Sequence, residues 1–193
     1  MGKVAFDISV SLDGYIAGPG RTADAPMGQG GDQLHNWMGS EDGQALLGRM
    51  VVGLGAVIAG RRTYDDSVHW WGADGPSGPA RRPTFVVTHA APADSPENGV
   101  YRFVTGGINA ALDQARDTAG DHTVCVMGGA HLIQQFLAAG LVDEVSLHVV
   151  PVLLGAGTRL FDGVPAAQLP LEPLEVINTP TALHIRYGVV TST

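Results

Sequence analysis

Ala56-Val57-Ile58-Ala59-Gly60-Arg61-Arg62-Thr63 and Val124-Cys125-Val126-Met127-Gly128-Gly129-Ala130-His131 share one construction: a short apolar run, glycine, then the start of a helical pattern. An apolar run bounded by such punctuation predicts a buried strand. Glycine after the strand has no Cβ and so admits another backbone or a phosphate. The helix that follows presents unpaired N–H groups and the positive end of its dipole. Two such turns predict paired anion sites at the carboxyl ends of the strands, where one pyrophosphate-containing ligand could be shared.

The rest of the chain fits this plan. Val4, Phe6, Ile8 and Val10 fall on one face of an alternating run over residues 3–11, an opening strand that Asp13-Gly14 ends. Residues 18–31 are rich in glycine, proline and small polar residues, which suits a lid or binding loop, or a plain insertion. Ser40 is placed to cap a helix with Glu41 and Asp42 in its first turn and Ala45, Leu46, Met50 and Val51 as its buried stripe. A short helix from about Arg62 leads into a Gly/Pro/Trp-rich loop, beneath which Trp70 and Trp71 are expected to pack. Residues 84–88 and 101–104 read as strands. Ile108, Ala111, Leu112 and Ala115 mark a helix that Gly120 ends. Leu132, Ile133, Phe136 and Leu137 mark the inner face of a helix over residues 130–139. Residues 144–150 form a further strand, and residues 174–177 and 183–190 an antiparallel hairpin about Asn178-Thr179-Pro180-Thr181. The alternation predicts an α/β fold, a single domain over residues 1–193, with a mostly parallel central sheet flanked by helices and a C-terminal antiparallel hairpin.

Composition limits the partners. The chain of 193 residues is 45% apolar and 16% charged, which suits a globular protein with a continuous core. A formal charge of -8 without any Lys/Arg run argues against nucleic acid held by phosphate neutralisation. Cys125 is the lone cysteine, so no internal disulfide forms, and its mid-strand position reads as core rather than as a catalytic thiol. No stretch reaches the ~20 apolar residues of a membrane span, and the first residues lack a signal-peptide pattern, so cytoplasmic location without a membrane partner is expected. The seven histidines form no metal-ligand spacing, and no metal is expected. Neither G-x-G-x-x-G nor a Walker A sequence occurs.

Arg61 and Arg62 allow two readings, surface ion pairs or an anion site. Cations at a helix N-terminus oppose its dipole, which favours an anionic partner, and with Thr63 they suit a 2′-phosphate, hence NADPH over NADH. Thr88-His89 would lie beside that helix at the end of the next strand. The Gly128-Gly129 pair signals close approach, either by a ligand or by strand–helix packing.

Ser11-Leu12-Asp13-Gly14-Tyr15-Ile16-Ala17-Gly18, Gly60-Arg61-Arg62-Thr63-Tyr64, Val86-Val87-Thr88 and Val126-Met127-Gly128-Gly129 occur in that order. They are followed by Val150-Pro151-Val152-Leu153-Leu154-Gly155-Ala156-Gly157-Thr158-Arg159-Leu160-Phe161. Together, over nearly the whole chain, they resemble the dihydrofolate reductase-like family. The branch they look most like is the reductase (RibD C-terminal) domain of the bifunctional riboflavin-biosynthesis deaminase-reductase.

The resemblance implies an NADPH-dependent reductase, usually a homodimer, with the cofactor lying across the strand ends. Gly60, Arg61, Arg62 and Thr63 match the adenosine-phosphate turn, Thr88 and His89 the next strand end, and Gly128, Gly129, Ala130, His131 and Leu132 the pyrophosphate turn. Ser9, Ile16 and Ala17 match positions near the nicotinamide. Ser11, Asp13 and Tyr15 match the loop bordering the substrate, although Asp-Gly is also an ordinary turn dipeptide. Trp37 stacks on a planar heterocycle or anchors its loop. Hydride transfer also needs a proton, for which the family places a carboxylate or water near the first helix. Glu41 and Asp42 are the carboxylates there, and dipole complementation is their other reading. Two departures stand out: no deaminase zinc-ligand signature is present, and residues 18–39 form a longer segment than in the folate enzymes. The expected activity is reduction of a small heterocyclic, imine or carbonyl compound, as in pyrimidine or pterin reductases; the alternative is an NADP(H)-binding module without turnover. Residues 142–154 are apolar enough to pair across a dimer.

Overall fold

The computed structural model describes residues 2–164 and 169–190. The chain opens with β1 (Val4–Ser11) and β2 (Tyr15–Ala17), then winds through a 3-10 helix (Gly31–Gly39) into α1 (Glu41–Gly53). Next come β3 (Leu54–Gly60), α2 (Arg61–Trp71), β4 (Thr84–Val87), β5 (Tyr101–Val104) and α3 (Gly107–Ala119). The second half holds β6 (Thr123–Gly128), α4 (Ala130–Ala138), β7 (Glu144–Val150), β8 (Thr158–Arg159), β9 (Leu171–Asn178) and β10 (Leu183–Val189).

One eight-stranded sheet runs in the order β5-β4-β3-β6-β1-β7-β10-β9. Every pair from β5 to β7 is parallel, and β10 is antiparallel to both neighbours, so the sheet is parallel with the expected antiparallel edge. β2 and β8 make a separate two-stranded ribbon. The chain moves toward β5 as it leaves β3 but toward β9 as it leaves β6. With right-handed crossovers, α1 and α2 cover one face of the sheet and α3 and α4 the other.

Burial departs from the sequence reading in three places. β1 is covered on both faces, since Ala5, Ser9 and Ser11 are buried as well as Val4, Phe6 and Val10. A parallel strand between two others has helices on both sides and loses its solvent face. In α1, Ala45 is exposed and Leu46, Met50 and Val51 are only half-buried. That helix packs Leu46 and Leu47 on a small cluster of Leu34, Trp37, Val150 and Ala182, away from the main core. Trp70 is 66% exposed and stacks on His69 instead of packing under the loop. The inward aromatic of α2 is Tyr64, edge-on to Tyr101 and Phe103.

Within residues 142–154, the strand β7 has no free edge. β7 is hydrogen-bonded by β1 on one edge and β10 on the other. Its first residue, Glu144, is buried, and Lys3 and Arg186 hold its two carboxylate oxygens. Such pairing is what makes a buried charge tolerable.

α4 seats itself through Leu132, Ile133 and Phe136, all buried in the main core. Phe136→Ala would leave a cavity there and cost about 3–5 kcal/mol. Denaturant unfolding should read this as a lower midpoint with an unchanged slope.

Candidate active site

The register of β3 on β6 sets Ala59 opposite Gly128, so the two strand ends finish side by side. A Cβ on Gly60 would lie 3.5 Å from the Gly128 carbonyl oxygen, and one on Gly129 would lie 3.5 Å from Thr63 Oγ1. The Gly128–Gly129 peptide is cis, and Gly128 has φ 115°, a conformation side chains with a Cβ rarely adopt. The two turns predicted as paired anion sites therefore lie close enough that a Cβ on either glycine would touch the other turn.

Both helices that start here are open at their N-termini. Neither Gly60 before α2 nor Gly129 before α4 caps with a side chain, and neither helix has an acid in its first turn. By contrast α1 is closed by Ser40, whose Oγ accepts from the Gly43 N–H at 3.1 Å, with Glu41 and Asp42 beside it. Two bare helix starts in contact make one strip of N–H donors with a positive field.

Arg61 takes the ion-pair reading, at a place that borders the cleft. Its Nε donates to both Asp65 carboxylate oxygens at 2.7 and 2.9 Å, and NH1 donates to the Ala90 carbonyl at 2.8 Å. The guanidinium is thereby fixed beside the end of β4, 3.5 Å from Thr88 Oγ1. Arg62 is freer, 69% exposed and 3.8 Å from Asp66, which Arg21 also contacts. His89 and His131 line the same opening, and Gln135 Nε2 meets His131 Nδ1 at 3.2 Å.

From this strip a cleft of about 1300 Å³ extends over Ile8, Ser9, Ile16 and Ala17 toward Trp37 and His148. Its inner end holds a buried polar chain absent from the sequence reading. Trp37, 1% exposed, donates its indole N–H to Ser9 Oγ at 2.8 Å and lies 4.3 Å from the His148 ring. His148 Nε2 meets Asp7 Oδ1 at 3.0 Å, and its Nδ1 meets His184 Nδ1 at 2.7 Å. His184 Nε2 in turn meets Thr179 Oγ1 at 3.2 Å. Burial, then the neighbouring His148 ring, holds His184 below the ordinary imidazole range. The sequence signal is slight: Asp7 and His148 are two among several polar residues in strands whose other positions are apolar.

Of the expected substrate-side residues, Trp37 lines the cleft and Ser11, Asp13 and Tyr15 sit elsewhere. Ser11 Oγ donates to Asp13 Oδ1 at 2.6 Å and accepts from the Tyr15 N–H at 2.9 Å. Asp13 also accepts from the Leu154 and Gly155 N–H groups at 3.1 and 2.7 Å, and the Tyr15 hydroxyl reaches the Gly155 carbonyl. These three residues brace the turn after β1 and are not on the cleft wall. Glu41 and Asp42 are exposed in the first turn of α1 and do not line the cleft either. Among the described residues, no group of three metal-ligating side chains occurs, and no helix is long and apolar enough to cross a membrane.

Comparison with known proteins agrees with this architecture. The family described as the RibD C-terminal domain matches residues 2–185. The chain is 28% identical over 161 residues to the uncharacterized protein YwjB of Bacillus subtilis (strain 168), covering 82% of each. A crystal structure of a protein provisionally assigned to riboflavin biosynthesis, from Shewanella sp. PV-4, superposes with TM-score 0.73 at 24% identity, covering 99% of this chain and 100% of that one. Dihydrofolate reductase from Enterococcus faecalis, complexed with NADP(H), gives TM-score 0.62 at 14% identity, covering 97% and 96%. The fold is dihydrofolate reductase-like.

The hydrogen bond from Ser11, followed by the N–H groups of Gly155 and Leu154, lowers the Asp13 pKa from 3.8 to about 2. A carboxylate lowered by folding contributes stability above its unfolded value and loses it as pH falls through its folded value. The melting temperature should therefore drop between about pH 4 and pH 2. In Asp13→Asn that part of the acid dependence should disappear.

Proposed function

The chain belongs to the RibD C-terminal domain family, and from that premise we propose that it is an NADPH-dependent reductase of a small heterocyclic, imine or carbonyl compound. The observation that carries the reading is the contact between the Gly60 and Gly129 turns at the head of the cleft. An elongated ligand with phosphates in its middle suits two open helix starts in contact, and an apolar cleft floor suits its redox end.

Gly60, Arg61, Arg62 and Thr63, with Thr88 and His89, would hold the adenosine end. Arg61, already fixed beside Thr88, and the exposed Arg62 would meet a 2′-phosphate. Gly128, Gly129, Ala130, His131 and Leu132 would hold the pyrophosphate. Ser9, Ile16 and Ala17 would bound the nicotinamide. When bound, the reduced nicotinamide supplies a hydride. Trp37 closes the inner end of the cleft as an anchor, since its indole is buried against Ser9 and His148. Ser11, Asp13 and Tyr15 serve the site by holding the loop after β1 in place. A homodimer would meet through an apolar surface such as that of Leu174, Val176 and Leu183, all exposed on β9 and β10.

Thermal unfolding with NADPH, NADH and flavins tests the cofactor. NADPH at ~100 times its Kd should stabilise the fold by about 2.7 kcal/mol; no shift at millimolar NADPH would sink the reading. Replacing both Arg61 and Arg62 by alanine should weaken NADPH by about tenfold or more while leaving NADH unchanged. Consumption of bound NADPH with a pterin, pyrimidine or ketone panel then separates a reductase from a module that only binds.

A further inference from the structure

Thr179, in the turn between β9 and β10, has one hydroxyl hydrogen and three polar neighbours. Its Oγ1 lies 2.8 Å from the Ala182 carbonyl oxygen, 3.1 Å from the Ala182 N–H and 3.2 Å from His184 Nε2. A carbonyl only accepts, so the hydroxyl hydrogen points to it at the shortest of the three contacts, and His184 Nε2 must donate. Burial keeps the His184 ring neutral, which leaves its Nδ1 with a lone pair. The donor across the 2.7 Å contact is then His148 Nδ1.

One hydrogen remains to be placed, between His148 Nε2 and Asp7 Oδ1. It belongs either to an imidazolium beside a carboxylate or to a carboxyl group beside a neutral imidazole. In both cases the pair holds one proton more than a carboxylate and a neutral ring. The groups facing His148 are Asp7 from β1, His184 from β10 and the uncharged Trp37 indole from the 3-10 helix, whose own N–H is taken by Ser9. Asp7 and His148 both border the cleft, and the Asp7 side chain keeps 21% of its surface exposed.

We propose that Asp7, with His148 behind it, is the proton donor of the reduction, in the place expected of Glu41 or Asp42. The inference rests on the reductase reading of the cleft. As hydride adds to the carbon of a C=N or C=O bond, the π electrons pass to the nitrogen or oxygen, which takes the proton from the Asp7–His148 pair. The pair is left as a carboxylate beside a neutral ring with its hydrogen on Nδ1, and solvent restores the proton after product leaves. His184 and Thr179 are positioning residues: they force His148 to keep its Nδ1 hydrogen, so that only the Nε2 side can give one up.

The proton count is readable without cofactor or substrate. Long-range 1H–15N correlation of the ring nitrogens, with the Asp7 carboxyl 13C shift, in the full labelled chain at neutral pH should find hydrogen on Nδ1 of His148 and on Nε2 of His184, and a further hydrogen on either His148 Nε2 or the Asp7 carboxyl. A bare His148 Nε2 beside an Asp7 carboxylate would overturn the proposal. Hydrogen on Nε2 alone in His148 and on Nδ1 in His184 would overturn the proposal, because the pair would then hold no extra proton. In the second arm, Asp7→Asn should keep the thermal shift with NADPH while turnover of an acceptor from the pterin, pyrimidine and ketone panel falls about 100-fold or more. Unchanged turnover in that variant would equally overturn it. Absence of any NADPH shift in the wild-type chain would count against the cofactor reading alone, since the ring-nitrogen and carboxyl spectra together still decide the proton count.

Discussion

The parallel pairing of β3 with β6 is the contact on which the site depends. Those strands are distant in sequence, and the chain leaves them in opposite directions, α2 toward β4 and α4 toward β7. Helices departing to opposite faces leave a gap above the strand ends, the arrangement in which open α/β sheets bind ligands. Because the register sets Ala59 against Gly128, the two helix starts come into contact instead of standing a strand apart. A shift of that register would separate them and divide one donor strip into two weaker ones.

The inner end of the cleft is built by a different rule. Asp7, His148, His184 and Thr179 form a chain from β1 through β7 and β10 to a surface turn, and each buried member has its polar atoms matched. A buried polar atom left unmatched costs about 1–3 kcal/mol, so such a chain is stable only when complete. Completion also makes it directional, since each hydrogen bond dictates the donor in the next. The Trp37 ring covers the chain and ties the 3-10 helix to β1 through Ser9, so the segment joining β2 to α1 is anchored at the point where the polar chain meets the cleft.

How much of this was legible in the sequence follows from distance along the chain. The strand–glycine–helix turns, the buried stripe of α4, the stop at Gly120 and the terminal hairpin are all written within a dozen residues, and the elements stand where those patterns put them. The stripe of α1 misled because its period is helical while its packing partner is a small cluster that covers only part of it. Asp13 reads as a turn residue or a site residue with equal ease. Its partners Leu154 and Gly155 lie 141 and 142 residues away, and only the fold shows that they occupy both carboxylate oxygens. Asp7 and His148 are likewise 141 residues apart, and neither carries a local motif.

The order of the sheet also decides how the chain meets copies of itself. Among the described residues, its two outer strands carry the unpaired ladders of the main sheet, a standing invitation to edge-to-edge aggregation. β5 offers four residues, too short a template for much growth. β9 is longer, but Pro173 removes a donor from it, Glu172 and Glu175 put charge along it, and the register shift opposite Arg186 and Tyr187 bends it. Both margins are thus blunted against strand addition, one by its shortness and the other by the proline, the acids and the register shift of the closing hairpin.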